Sequence, residues 1–128
     1  MVTVDEQGPS RVGVVAENVD PYHDDMRKDV LWGNIMAGGA GVEYLVTVYV
    51  TFRDLALENF RTISNMIDQS RYALEFFQNN SIPFWDMSNA NSRLPSLYPN
   101  RCLAQSNGNV ILVQLVNGGS TTIDLTGP

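Results

Sequence analysis

Carboxyl groups dominate the chemistry that this chain can offer. Glu6 closes the β-prone run Val2-Thr3-Val4-Asp5 and precedes the breaker Gln7-Gly8-Pro9-Ser10. That puts it at a strand end, at the mouth of a loop, where a βα-type protein displays its reactive acids. A carboxyl so placed can serve as acid, base or nucleophile if a second carboxyl lies within reach. Asp5 is its neighbour, but consecutive strand residues point to opposite faces, so the two are not expected to share a pocket. Glu43 opens a second β-prone run beginning at Val42. Two tryptophans, Trp32 and Trp85, could stack on a flat ligand. Trp32 lies in a helical pattern and reads as core. Trp85 lies in an irregular stretch and reads as a plug between two parts of the chain, or as a binding platform.

Other chemistries are narrowed by counting. His23 is the only histidine, so a site built on several imidazoles is impossible. It stands just before a helix and reads as a capping or exposed residue. Cys102 is the only cysteine, which leaves no internal disulfide and no cysteine-built zinc site. Asp24-Asp25 resemble half of a metal site, but they also sit in the first turn of a helix, where the macrodipole favours negative charge. No metal and no cofactor is expected. The net charge is −6, and Lys28 is the only lysine. Without a basic block, nucleic acid and anionic membranes are poor partners. The most apolar run, Leu45 to Phe52, is too short to span a bilayer. Met1 is followed by no basic segment, so no secretory signal is visible.

The elements that must position these residues follow from periodicity. After the first β-run comes a polar loop over 11–22. Met26, Val30, Leu31 and Ile35 then recur at helical spacing, up to Gly38. Gly38, Gly39 and Gly41 are expected to let the chain leave the helix through positive φ and to bring helix and strand close together. Val42 to Thr51 reads as a strand. Asp54 reads as the cap of a long helix over 54–79, with Phe60, Ile63, Ile67, Leu74 and Phe77 as its buried stripe, widened by Met66, Tyr72, Ala73 and Phe76. Asn79-Asn80 and Pro83 end it. Residues 83–100 contain three prolines and read as a linker. The period then changes: Arg101–Gln105, 110–116 and 121–125 read as short strands separated by Asn107-Gly108-Asn109 and Asn117-Gly118-Gly119, both hairpin signals. No internal repeat is visible.

With these residues laid out, the chain resembles the C-terminal end of a bacterial family of glycoside hydrolases. These have an apiosidase-like TIM barrel followed by a small β-domain labelled collagen-binding. The resemblance rests on Val4-Asp5-Glu6-Gln7-Gly8-Pro9, on Arg27-Lys28 through Tyr44, on Ser70-Arg71-Tyr72-Ala73-Leu74-Glu75-Phe76-Phe77 and on Ile82-Pro83-Phe84-Trp85-Asp86-Met87. Cys102-Leu103-Ala104, Leu115-Val116-Asn117-Gly118-Gly119 and Ile123-Asp124-Leu125 extend it along the tail. The chain departs from the family after Tyr44, where Leu45 to Phe52 is more apolar than expected and lacks glycine.

The resemblance implies an α/β fold: the last two βα units of a TIM-type barrel over 1–82, a linker over 83–100, and a partial β-sandwich-like domain over 101–128. Val2–Glu6 would be the seventh barrel strand, 42–51 the eighth, and 54–79 the closing helix. Glu6 would be a catalytic carboxylate, matching the nucleophile, with its acid/base partner on an earlier strand that this chain does not contain. Glu43 would line the barrel floor or pair with an arginine, and with Trp85 is a candidate substrate-binding residue. The implied substrate is a polysaccharide or glycoside, and the full-length family would act in an extracellular or periplasmic setting. The alternative is a non-catalytic module that binds carbohydrate or a matrix protein. Nothing in the tail physically reads a collagen triple helix. An incomplete barrel is also expected to self-associate through its uncovered apolar faces.

Overall fold

The computed structural model describes residues 3–7, 14–45, 60–96 and 98–126. The fold mixes helix and strand. Strand β1, Thr3–Gln7, pairs in parallel with β2, Gly41–Tyr44. The helix between them starts as a π-helical segment, Met26–Leu31, and continues as α1, Trp32–Met36. A 3-10 turn, Phe60–Ile63, leads into the long helix α2, Ser64–Asn79. A three-stranded antiparallel sheet follows, in the order β3 (Met87–Asn89), β4 (Arg101–Gln105), β5 (Ile111–Gln114). No helix among the described residues is long and apolar enough to cross a membrane.

The join from α1 to β2 is set by short-range sterics. Gly38 leaves the helix at φ +83°, a region costly for a side chain. Gly39 serves differently: a Cβ there would overlap the Asn34 carboxamide. Asn34 needs that space, because its Nδ2 donates to Gly41 O at 2.7 Å and ties the helix end to the strand start. Gly41, expected to act like the other two, has open space around its Cβ position and contributes its carbonyl instead.

Both ends of α2 are pinned. At its start Glu17 reaches in from the preceding loop: its Oε1 accepts the Asn65 N–H at 2.6 Å and the Ser64 hydroxyl at 2.9 Å. A carboxylate satisfies orphan amides at the positive end of the helix dipole. The expected cap, Asp54, lies outside the described residues, as does the expected continuation of β2 over 46–51. At the other end Ile82 N–H bonds to Phe77 O at 3.0 Å and Ser81 N–H to Gln78 O at 3.1 Å, with Ser81 at φ +51°. This pair of bonds is the glycine-type helix stop, here built on serine. Pro83 then prevents return, as its position in the sequence requires.

The core gathers Val14, Met26, Leu31, Ile63, Met66 and Ala73, with Val42 and Tyr44 packed against it. Of the stripe read from spacing and its widening, Ile63, Met66 and Ala73 are buried. Phe60, Ile67 and Leu74 are exposed at 49%, 46% and 59%. Only one flank of the helix is covered by described residues, and the apolar positions on the next flank remain in solvent.

The sheet corrects two expectations. The stretch 83–100 contains the edge strand β3, paired with β4 through Met87↔Gln105 and Asn89↔Leu103. The expected strand at 121–125 is irregular, because Arg93 takes its backbone: Asp124 N–H donates to Arg93 O at 2.9 Å and Arg93 Nη1 to Asp124 O at 3.0 Å. The β4–β5 hairpin turns at Asn107-Gly108-Asn109 as expected, with Gly108 at φ +74°. β4 is the central strand and buries Cys102, Leu103 and Ala104.

Arg101 makes the shortest of the hydrogen bonds that join sheet and helices. In the π-helical segment Trp32 N–H bonds to Arg27 O, one residue further back than an α-helix would use. The Lys28 carbonyl accepts Arg101 Nη1 from β4 at 2.7 Å. Arg101 Nη2 also pairs with Asp29 at 2.6 Å, and Nη1 with Gln114 Oε1 at 3.0 Å. Asn89 adds a bond to Met36 O at 3.3 Å.

Candidate functional site

The parallel pair places the sequence candidates together at the level of the backbone. Val4 pairs with Val42 and Gln7 with Tyr44, so Asp5 and Glu6 together oppose the single residue Glu43. One extra residue on β1 makes a bulge, and bulges are common beside active sites, where they re-aim side chains. The site is thus three carboxyl-bearing positions within a bulge near the C-terminal ends of two parallel strands, whose backbones run about 4.8 Å apart. Glu43 itself is exposed.

Behind this edge the scaffold is ordered. Tyr44, which pairs with Gln7, is packed against the core. Burial pushes its phenol up, and a hydrogen bond from Ser70 Oγ, 3.4 Å away on α2, offsets that in part. Among the described residues no group of three potential metal ligands occurs.

The other candidates are distributed elsewhere. Trp85, on a 3-10 turn over Phe84–Asp86, is 81% exposed, so it does not plug an interface between described parts. Trp32 is partly buried and belongs to an aromatic cluster, edge-on to Phe76 at 5.8 Å and stacked on Phe77 at 6.2 Å. Asp24 pairs with Arg27 at 2.6 Å and Lys28 at 3.0 Å, and the Arg27 hydrogen bond leads in holding its carboxyl below the usual range.

His23 departs most from its sequence reading. It is fully buried, at φ +48°. Its N–H donates to Asp20 Oδ1 at 3.0 Å. Nε2 lies 2.7 Å from Val15 O, an acceptor only, so Nε2 donates to it, while Nδ1 has no hydrogen-bond partner among the described residues. A histidine before a helix start looks like a cap. Here the loop 14–22 folds over it, laced to the 3-10 turn before α2 through Glu17 N–H to Thr62 O and to α2 through Asn65 Nδ2 to Pro21 O.

Two open grooves flank these elements. One, of about 280 Å³, runs between the helices past Leu31, Ile35, Val42, Leu74 and Phe77 and is mainly apolar. The other, of about 260 Å³, lies between α1 and β5 and is lined by Lys28, Trp32, Met36, Phe76 and Leu112. Neither is lined by Glu43 or Trp85. No family model, no curated protein and no solved structure matches the chain.

Proposed function

We propose that this chain contributes the last two βα units of a glycoside hydrolase barrel, with Glu6 as the catalytic carboxylate. The observation that carries the reading is the bulge on β1. It puts Glu6 at the irregular C-terminal end of a parallel strand joined to the next strand through a helix, where β/α barrels hold their reactive groups. Glu43, opposite the bulge, is then the neighbour that lines the same end. Hydrolysis of a glycoside requires two carboxyl groups about 5–5.5 Å apart for retention or about 6.5–9.5 Å apart for inversion. The resemblance puts the acid/base partner on an earlier strand, so the 128-residue chain is inactive by itself.

The test has two arms. The chain alone should not turn over an aryl glycoside. A longer chain that restores the barrel should, and Glu6→Gln in it should lower kcat by about 10²-fold or more. Turnover by the 128-residue chain, or full activity of the variant, would overturn the assignment. A second reading, a non-catalytic carbohydrate-binding module, is favoured by the exposure of Trp85.

A further inference from the structure

The turn Phe84–Asp86 holds Trp85 out to solvent on a backbone fixed from both sides. On one side Phe84 sets its ring edge-on against Phe77, centroids 5.1 Å apart. On the other side Asp86 is clasped by the β4–β5 hairpin. Its Oδ2 accepts Gln105 Nε2 at 2.9 Å, its Oδ1 accepts the Ser106 hydroxyl at 3.2 Å, and its carbonyl accepts the Ser106 N–H at 3.3 Å. Within the turn Phe84 N–H reaches Ile82 O at 2.8 Å and Asp86 N–H reaches Pro83 O at 2.9 Å. Among the described residues the aromatic cluster stops at Phe84, and Trp85 has no part in its ring contacts. An indole is among the largest apolar surfaces a side chain offers, and leaving it in water forfeits that burial.

We infer that Trp85 is a stacking platform for a neutral sugar ring, with Asp86, Gln105 and Ser106 as its polar rim. The choice of ligand rests on the carbohydrate reading above, but the site is independent of Glu6. The chemistry of the surroundings selects the occupant. A pyranose presents an apolar C–H face to stack on an indole and a ring of hydroxyls that need donors and acceptors at its edge. Asp86, next to Trp85 in the chain, supplies a carboxylate with unused lone pairs, and it carries the Gln105 carboxamide and the Ser106 hydroxyl as its bonded partners. A protein partner would instead need a contiguous apolar core to its interface, and Trp85 is a single exposed ring next to the charged Asp86. The net charge of −6 and the adjacent Asp86 disfavour acidic glycans and anionic membranes. Because the turn is already rigid, little ordering accompanies binding.

Affinity electrophoresis of the 128-residue chain tests this, in gels carrying neutral polysaccharides (a β-glucan, a galactomannan, an arabinoxylan) and one acidic polysaccharide. At least one neutral polysaccharide should retard the chain. Trp85→Ala should weaken that retardation by about tenfold or more, Trp85→Tyr should keep part of it, and Tyr22→Ala, at an exposed aromatic of the loop 14–22, should leave it unchanged. Near-ultraviolet circular dichroism from the Trp32 cluster reports whether each variant is folded. Retardation by none of the neutral polysaccharides overturns the proposal. So does retention of Trp85→Ala equal to the parent, or binding confined to the acidic polysaccharide or to anionic lipid vesicles. Sugar binding that persists while the longer chain fails to hydrolyse any glycoside would sink the catalytic reading and leave this one standing.

Discussion

At the scale of single residues, the structure is most informative where a polar group has been committed. Glu17, Asp24 and Asp124 all have carboxyls held low. The leading causes are the Asn65 amide for Glu17, the Arg27 guanidinium for Asp24 and the Thr126 hydroxyl for Asp124. A carboxyl whose folded value lies below its unfolded one adds stability that is fully present above the unfolded value, about 4. That stability is lost as pH falls through the folded value. Urea unfolding should therefore show a falling midpoint below about pH 4, and Glu17→Gln should flatten that fall. An unchanged slope would show that the Asn65 bond is not made in solution. Cys102 behaves oppositely. Burial pushes its thiol up, offset slightly by Arg93, and the side chain is wholly enclosed. A disulfide reagent should label it only as fast as the molecule unfolds; rapid labelling of the native protein would contradict the burial. Cys102 could be counted from the sequence, but its burial could not, because it depends on β3 and β5 both flanking β4. Glu17 gave no signal at all, since its partner lies 47 residues away.

At the scale of elements, what was legible was local. The helix over Met26–Met36, the stop at Asn80, the first β-run and the β4–β5 hairpin all follow from spacing, breakers and turn residues within a few positions. What was not legible depended on a distant competitor. Thr121-Thr122-Ile123-Asp124-Leu125 has strand-forming residues, but Arg93 captures the Asp124 backbone and no strand forms. Met87–Asn89 is short and polar and became a strand because β4 offered it an edge. Of the candidate site, the acid at a strand end was visible, whereas the bulge that sets Asp5 and Glu6 against Glu43 exists only in the pairing register. Two substitutions probe the element ends. Ser81→Gly should raise stability by about 1 kcal/mol, since it removes a side chain from a left-handed position. Gly39→Ala should lower it by about 1–3 kcal/mol through overlap with Asn34. Thermal unfolding checks both, and a lower midpoint for Ser81→Gly would mean that the serine makes a compensating contact.

At the scale of the whole molecule, the uncovered flank of α2 sets the behaviour. Phe60, Ile67 and Leu74 are exposed, and Leu74 also lines a mainly apolar groove. An apolar surface of that kind drives association. Sedimentation or light scattering should show concentration-dependent self-association, weakened by Ile67→Glu with Leu74→Lys. A stable monomer at high concentration would count against it. Arg101 is a principal link between helices and sheet, its head group spanning Lys28 O, Asp29 and Gln114. Arg101→Met keeps the stem and removes these bonds, so it should lower the unfolding midpoint and the cooperativity between helices and sheet.

The wide turn at Met26–Leu31 makes the segment from His23 to Gly41 a counting device. A π turn is an α-helix carrying one surplus residue, and each residue rotates the helix by about 100°. His23 is fastened upstream by Val15 and Asp20, and the α1 end is fastened downstream by Asn34 to Gly41. Deleting one residue between these anchors would dial Trp32 away from Phe77 and Lys28 O away from Arg101 at the same time. Among related chains this segment should therefore vary freely in residue type on its exposed side and hardly at all in length.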